Sequence, residues 1–274
     1  VGGADRIVFD IADPLVGGAH TITLAYDGPD PSNLPDALPT VTEAVVIDAT
    51  TDTDWAAAGG LPVVVLDGSA AAASADGLSI TAGNSTVRGL VIRNFGHFGV
   101  YLATGGGNTI EGNFIGTNAT GTAAAGNAWG IVLDNSANNV IGGTTAAARN
   151  LISGNASDGI NIGGAGSTGN QIQGNRIGTN LAGTAAIGNV GVGIGIGAGA
   201  SGNTVGGAGS AYRNLISGNA QYGIFITDAA TSGNVVQSNW IGVDAAGTGA
   251  LTNGGFGVVV DLKGAVTTRA AHVS

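Results

Sequence analysis

The chain of 274 residues has no cysteine, no methionine and a single lysine, Lys263. Without cysteine it has neither a disulfide nor a thiolate metal site, and the redox compartment stays open. Without an initiator Met, it is expected to be a processed or excised piece. Only 8 residues are Lys or Arg, and the net charge of −10 argues against nucleic acid, because phosphate binding needs clustered basic residues. No apolar run reaches about 18 residues, so no membrane span is predicted.

Glycine, by contrast, is abundant, with 52 residues, and much of the chain repeats itself. The segment RNLISGN at 149–155 returns at 213–219, 64 positions later. A second segment, GNTIEGNFIG from Gly107, returns from Gly169 as GNQIQGNRIG and from Gly233 as GNVVQSNWIG. Repeats of this length are typical of solenoids, in which each unit buries its apolar face against its neighbours.

Each repeat unit opens with Gly followed by an apolar–any–apolar triplet. These openings start at Gly77, Gly99, Gly130, Gly159, Gly193, Gly223 and Gly257. Alternation with a period of two predicts strands, and each unit contains three such short runs. Three short strands per turn predict an all-β fold, a single-stranded right-handed parallel β-helix with about seven regular coils.

Alignment of the coils predicts interior columns of aliphatic residues. One column is Val87, Ile110, Ile141, Ile172, Val205 and Val236, and another is Ile92, Ile115, Ile152, Ile177, Ile216 and Ile241. Two more come from the opening triplets, such as Ile160 and Ile162.

Asparagine also aligns, and its side-chain amide can bond to the same amide one coil away, as a ladder. Three ladders are predicted: Asn108, Asn139, Asn170, Asn203 and Asn234; Asn113, Asn150, Asn175, Asn214 and Asn239; and Asn118, Asn155, Asn180, Asn219 and Asp244.

With these coils, residues 77–262 resemble bacterial secreted right-handed β-helix repeat proteins of the pectin-lyase-like superfamily. The resemblance implies the fold and an extracellular or bacterial cell-surface location. It does not imply an activity, because one fold hosts many functions. Three regions are predicted: irregular N-terminal coils and a cap at 1–76, β-helix repeats at 77–262, and a tail at 263–274. Because no cap follows the last coil, an end-to-end contact with a partner chain is one expectation there.

Related β-helix enzymes degrade acidic polysaccharides, but their motifs are incomplete in this chain. Gly96-His97-Phe98 and Arg176-Ile177-Gly178 match only in part, and we read His97 as a packed corner. Glycoside hydrolysis needs two carboxylates about 5–10 Å apart, whereas Asp134 and Asp158 have no acidic neighbour in adjacent coils. The sequence therefore favours a non-catalytic protein and leaves enzyme activity unsettled.

Asp48, Asp52 and Asp54 form the only tight acidic cluster in the sequence. Carboxylate oxygens are ligands for Ca²⁺, so this cluster is the one candidate metal site, although its spacing matches no calcium loop. A solvated loop is the favoured alternative, and no other cofactor is indicated. The three histidines are too scattered for a metal triad.

A stripe of residues between the interior columns is expected to point outward. Its members are Phe114, Arg176 and Trp240, with Leu151 and Leu215 between them, and the opening strand adds Tyr101 and Phe225. Exposed apolar stripes mark binding surfaces, so a glycan or a neighbouring protein is the predicted partner. The alternative is that the recurring loops 117–127, 179–189 and 243–253 cover the stripe.

The function favoured by these observations is a non-catalytic extracellular or cell-surface β-helix. It would act as a rigid spacer and an interaction surface for adhesion or assembly. The competing interpretation is a carbohydrate-active enzyme, or a glycan-binding module, on the same scaffold.

Overall fold

The chain folds into three β-sheets of eight strands each, which run along one solenoid. The structure is a computed structural model that describes residues 4–12, 14–25, 38–261 and 266–267. The first sheet contains Asp5–Val8, Val45–Asp48, Thr86–Arg88, Thr109–Glu111, Val140–Gly142, Gln171–Gln173, Thr204–Gly206 and Val235–Gln237. The second contains His20–Ala25, Val64–Ala70, Leu90–Arg93, Phe114–Ile115, Leu151–Ile152, Arg176–Ile177, Leu215–Ile216 and Trp240–Ile241. The third contains Leu78–Ile80, Phe98–Ala103, Trp129–Asp134, Ile160–Gly163, Ile194–Ile196, Ile224–Thr227, Val258–Asp261 and Val266–Thr267.

Apart from the last pair of the third sheet, neighbouring strands within a sheet are parallel, and their register stacks equivalent residues of successive coils. Ile115 pairs with Ile152, and Ile152 pairs with Ile177. All three side chains are fully buried, as are their counterparts Ile110 and Ile141 in the first sheet. The predicted β-helix and its aliphatic columns are therefore confirmed. Because a strand alternates its faces, the residues between the columns must lie on the outside.

Two of the three predicted asparagine ladders are present as described. From Asn108 to Asn234, each Nδ2 donates to the next Oδ1 over 2.8–3.0 Å. From Asn113 to Asn239, the same bonds measure 2.9–3.2 Å. The amides also donate to backbone carbonyls, as Asn175 does to Ile141 over 2.8 Å. The ladders thus satisfy buried polar groups at the corners between sheets, where strand pairing cannot.

The third ladder has different members from those predicted. It runs through Asn127, Asn155, Asn189, Asn219 and Asn253, with Nδ2–Oδ1 distances of 2.9–3.1 Å. The assignment of Asn118, Asn180 and Asp244 to this ladder is wrong, because each of these residues closes a loop of alternate coils. The Oδ1 atoms of Asn118 and Asn180 accept from the backbone N–H groups four residues later in each loop, over 2.8 and 2.9 Å. In these coils the ladder residue is therefore the one at the end of the loop, such as Asn127 or Asn189, and not the one at its start.

The N-terminal part of the chain extends the same solenoid. Its strands enter the first and second sheets in parallel register, whereas the third sheet begins only at Leu78. The described helical segments are one α-helix, Asp54–Ala57, and two 3-10 segments, Ala49–Thr51 and Ser210–Tyr212. None of them is long and apolar enough to cross a membrane. At the other end, Val266–Thr267 pairs antiparallel with Val258–Asp261, while the rest of the 263–274 tail lies outside the described residues.

Candidate functional site

The outward stripe of the second sheet is largely covered by loops. Phe114 is 4% exposed, and Leu151 and Leu215 are also buried. Gly121 of the 117–127 loop lies so close that a Cβ on it would stand 2.7 Å from Leu151 Cδ2. Gly247 of the third loop has the same relation to the Trp240 ring, at 2.8 Å. Of the two alternatives, coverage by the recurring loops is therefore the one that holds for the apolar members of the stripe, and Phe114 and Leu151 form part of a second, smaller core.

Arg176 and Trp240 remain half-buried rather than enclosed. Together with Arg149 and Arg213 they line a cavity of about 220 Å³. The guanidinium of Arg213 lies over the Trp240 ring, with its Cζ 4.3 Å from the ring centroid. Arg149 and Arg213 were not predicted as site residues, because they belong to the repeated RNLISGN segment, whose recurrence indicates the solenoid and no particular site.

The outward face of the third sheet carries several aromatic side chains that remain partly exposed. Val100 and Leu102 point inward and are fully buried, so Tyr101 between them points outward. The chain has 3 Trp, 4 Tyr and 6 Phe residues. Six of these rings lie along this face: Phe98, Tyr101, Trp129, Tyr222, Phe225 and Phe256. Tyr101 and Phe225 were predicted here, and both are half-exposed.

The six rings are divided between the two ends of the face. At one end, the Phe98 and Tyr101 centroids are 4.9 Å apart, and Trp129 pairs with Phe98 in the next coil. At the other end, the Tyr222 and Phe225 centroids are 5.6 Å apart, and Phe256 lies 6.3 Å from Tyr222. The face therefore presents two aromatic clusters with a gap between them.

The gap is a groove of about 350 Å³. Gly163, Gly195 and Gly197 line it, beside Asp158 and Asn161. A Cβ on Gly195 would come within 3.2 Å of Asn161 Nδ2. Glycine at these outward positions thus keeps the groove open, and the polar side chains at its edge remain reachable.

Asp158 is one of two carboxyl groups that line this groove. Its Oδ1 accepts from the backbone N–H of Val192 over 2.9 Å, and its Oδ2 accepts from Asn161 Nδ2 over 3.2 Å. Burial raises the pKa of the Asp158 carboxyl, and these two hydrogen bonds oppose that shift. The other carboxyl group of the groove belongs to Asp228, which follows the end of the strand Ile224–Thr227. Asp158, in contrast, precedes the start of the strand Ile160–Gly163. The two therefore lie at opposite edges of the face.

His97 lies beside this face at the predicted bend, but it is less enclosed than a packed corner residue would be. Its side chain is 45% exposed, and its Nδ1 lies 2.8 Å from Asp76 Oδ1. Its ring contacts Phe98, with centroids 3.5 Å apart. Close by, the Tyr101 hydroxyl donates to Asp134 Oδ2 over 3.0 Å. Burial raises the pKa of Tyr101, and the hydrogen bond with Asp134 raises it further.

The predicted cluster of Asp48, Asp52 and Asp54 does not form. The Asp48 carboxylate accepts from Arg88 over 2.5 Å and from Arg6 over 3.3 Å. The hydrogen bond from Arg88 holds the pKa of Asp48 low, at about 2. Asp52 and Asp54 instead face the buried His20, whose Nε2 lies 3.7 and 3.0 Å from their carboxylate oxygens. This group of one nitrogen and two oxygen donors suits a zinc-type ion better than Ca²⁺, which prefers oxygen ligands alone.

A comparison with protein-family models places the coils in a known family. Residues 47–208 match the model described as the right handed beta helix region. The chain belongs to the right-handed β-helix family. Two solved structures, both mutants of the periplasmic alginate epimerase AlgG, are similar at 14% identity. They cover 88% and 89% of this chain and 67% and 68% of their own, with TM-scores of 0.39 and 0.36. No curated protein matches the sequence.

Within this right-handed β-helix, only part of the third-sheet face is readable from the sequence. Tyr101 and Phe225 were found because they lie inside the alternating triplets. Phe98, Trp129 and Tyr222 each come directly before the glycine that opens a coil, where no alternation shows which way a side chain points. The signal available in the sequence was that three different coils have an aromatic residue at this same position.

Proposed function

We propose that this β-helix is a non-catalytic scaffold that binds an extended glycan along the outward face of the third sheet. The observation that carries this proposal is the pair of aromatic clusters separated by the glycine-lined groove. Aromatic rings offer apolar faces on which sugar rings stack. Asp158 and Asn161 supply hydrogen-bonding groups for hydroxyls between the clusters.

The dimensions of the face support a ligand of several sugar rings. Tyr101 and Phe225 occupy one column, connected through Val132, Asn161 and Gly195 in register. Four coil steps of roughly 4.8 Å separate them by about 19 Å. Because the strands hold these rings on a paired backbone, little conformational entropy is lost when a ligand binds.

Tyr101→Ala and Phe225→Ala are each expected to weaken glycan binding about tenfold, since each removes one stacking ring. Isothermal titration calorimetry against a panel of neutral and acidic oligosaccharides measures the effect. Tyr212→Ala is the matched control, because Tyr212 is an exposed tyrosine on the 3-10 segment Ser210–Tyr212, away from this face. Equal affinities for all three variants, or no binding of any glycan by the wild type, would refute the proposal.

A carbohydrate-active enzyme is the second candidate, and the exposed His97–Asp76 pair beside Tyr101 favours it. A histidine oriented by a carboxylate is a common general base. Hydrolysis of a glycosidic bond, however, needs two carboxylates that flank the bond, and the Asp158 and Asp228 carboxyls lie at opposite edges of the face. We therefore rank binding above catalysis.

Incubation with pectin, alginate or neutral glycans is accordingly expected to release neither reducing ends nor unsaturated ends. Reducing-sugar and absorbance assays detect the two products. In both assays, His97→Ala and Asp158→Asn are expected to give the same absence of product as the wild type. Product formation that either substitution abolishes would establish the enzyme instead.

The proposed role includes a location outside the cell or on a bacterial cell surface. The acidic composition and the single lysine support this location. An end-to-end contact between chains also stays a prediction. In the described part of the chain, Val235–Gln237 and Trp240–Ile241 are the terminal strands of the first and second sheets, and such a contact would pair with them.

A further inference from the structure

We propose that the second sheet carries a binding site for an oxyanion of the sulfate or phosphate type, formed by Arg149, Arg176 and Arg213. These arginines line one cavity of about 220 Å³, with Leu215 and Trp240 as its apolar wall. The site is separate from the glycan face, which belongs to the third sheet. It does not depend on the function proposed for that face.

The solenoid places the three cations in consecutive coils. Arg149 and Arg213 occupy the same position of the RNLISGN repeat, two coils apart. Arg176 belongs to the coil between them, where it pairs in register with Leu151 on one side and Leu215 on the other. At roughly 4.8 Å per coil, the backbones of the outer two arginines are about 10 Å apart. Long side chains at that separation can reach one tetrahedral anion between them.

Two of the guanidinium groups are held in place from behind. Nε of Arg149 donates to the Gly174 carbonyl over 3.0 Å, and Nε of Arg213 donates to the Ser238 carbonyl over 3.1 Å. The Trp240 ring also supports Arg213. These contacts use the Nε–H groups and leave the terminal nitrogens for a ligand. A fixed guanidinium fork is well suited to the paired oxygens of an oxyanion.

The charges around this cavity are unbalanced. Elsewhere in the described parts of the chain, Arg6, Arg88 and Arg93 each form an ion pair with an aspartate. Within the same ranges, none of the three cavity arginines has a carboxylate within 4.0 Å, and no acidic residue lines the cavity. Burial, with the nearby charge of Arg149 as a smaller cause, lowers the pKa of Arg176 to about 10. A bound oxyanion would compensate both the repulsion and the lost hydration.

Arg176→Leu is the decisive variant, because leucine occupies the same register position in both adjacent coils. The variant is therefore expected to fold and, in chloride, to be at least as stable as the wild type. Sulfate should raise the Tm of the wild type but not of the variant. The affinity for sulfate should fall at least about tenfold, the loss expected for one hydrogen bond between charged groups.

Arg6→Gln is the matched control, since it removes one positive charge from the first sheet, where Arg6 is 57% exposed. The probes are sodium sulfate, sodium phosphate and a sulfated oligosaccharide, each compared with sodium chloride at the same ionic strength. A response of wild type and Arg6→Gln to the inorganic anions supports a site for free anions. A response to the sulfated oligosaccharide alone supports a site for an anionic group on a glycan. Identical responses of wild type and Arg176→Leu to every probe would overturn the proposal.

Discussion

Ile152→Asp is expected to unfold most of the solenoid. Ile152 is fully buried between Ile115 and Ile177 of the neighbouring coils, and aliphatic side chains surround it. A carboxylate at this position has no partner, and burying an unpaired charge costs several kcal/mol. That penalty is comparable to the whole stability of an ordinary domain, about 5–15 kcal/mol. Because each coil depends on its neighbours, the loss spreads beyond one coil.

Urea unfolding followed by circular dichroism measures this effect. Two variants calibrate it. Ile152→Val shortens the same side chain and should cost only about 0.5–1.5 kcal/mol. Thr109→Asp introduces the same charge at a half-exposed outward position of the first sheet and should change stability by about 0.5 kcal/mol or less. A wild-type unfolding curve for Ile152→Asp would show that this column is not the core.

Asn189→Ala is expected to have the second largest effect, and it tests the corrected membership of the third ladder. The Asn189 amide donates to the Ile152 carbonyl over 3.1 Å and to Asn219 Oδ1 over 2.9 Å. Its Oδ1 accepts from the backbone and side chain of Asn155 over 3.1 and 2.9 Å. Alanine leaves several of these buried groups without partners, at about 1–3 kcal/mol each. We expect a loss of at least about 3 kcal/mol on that basis.

Asn180→Ala is the matched comparison within the same loop. Asn180 Oδ1 accepts from the backbone of Thr184 and Ala185, which water can also reach, so the expected loss is about 1 kcal/mol or less. Chemical denaturation of both variants separates the two assignments. If Asn180→Ala costs as much as Asn189→Ala, the ladder includes the loop residue after all.

The two proposed sites have different relations to the repeat. The glycan face uses residues that break the repeat, because Tyr101 and Phe225 are aromatic where the other coils have serine, valine, asparagine or glycine. The proposed oxyanion site uses Arg149 and Arg213, which occupy the same position in two copies of the repeat. It also uses Arg176, which stands where both adjacent coils have leucine. Both proposals thus combine residues of several coils, and the second relies on residues that the repeat duplicates.

Three features of the chain are readable from local patterns alone. The 64-residue repeat and the period-two alternation specify the β-helix and the aliphatic columns, and also two asparagine ladders. These features depend only on the spacing of residues along the sequence, because parallel coils in register stack equivalent residues of successive coils on one another. The same spacing also located Tyr101 and Phe225 on an outward face.

Other features depended on contacts between segments that spacing does not describe. Asn127 and Asn118 fit a ladder equally well by sequence, and only the closed path of the loop gives that place to Asn127. The stripe at Phe114 alternates as an exposed surface should, yet a loop from the same coil covers it. Burial on the outside of a solenoid is decided by where loops return, and a loop's return path is a property of the three-dimensional packing.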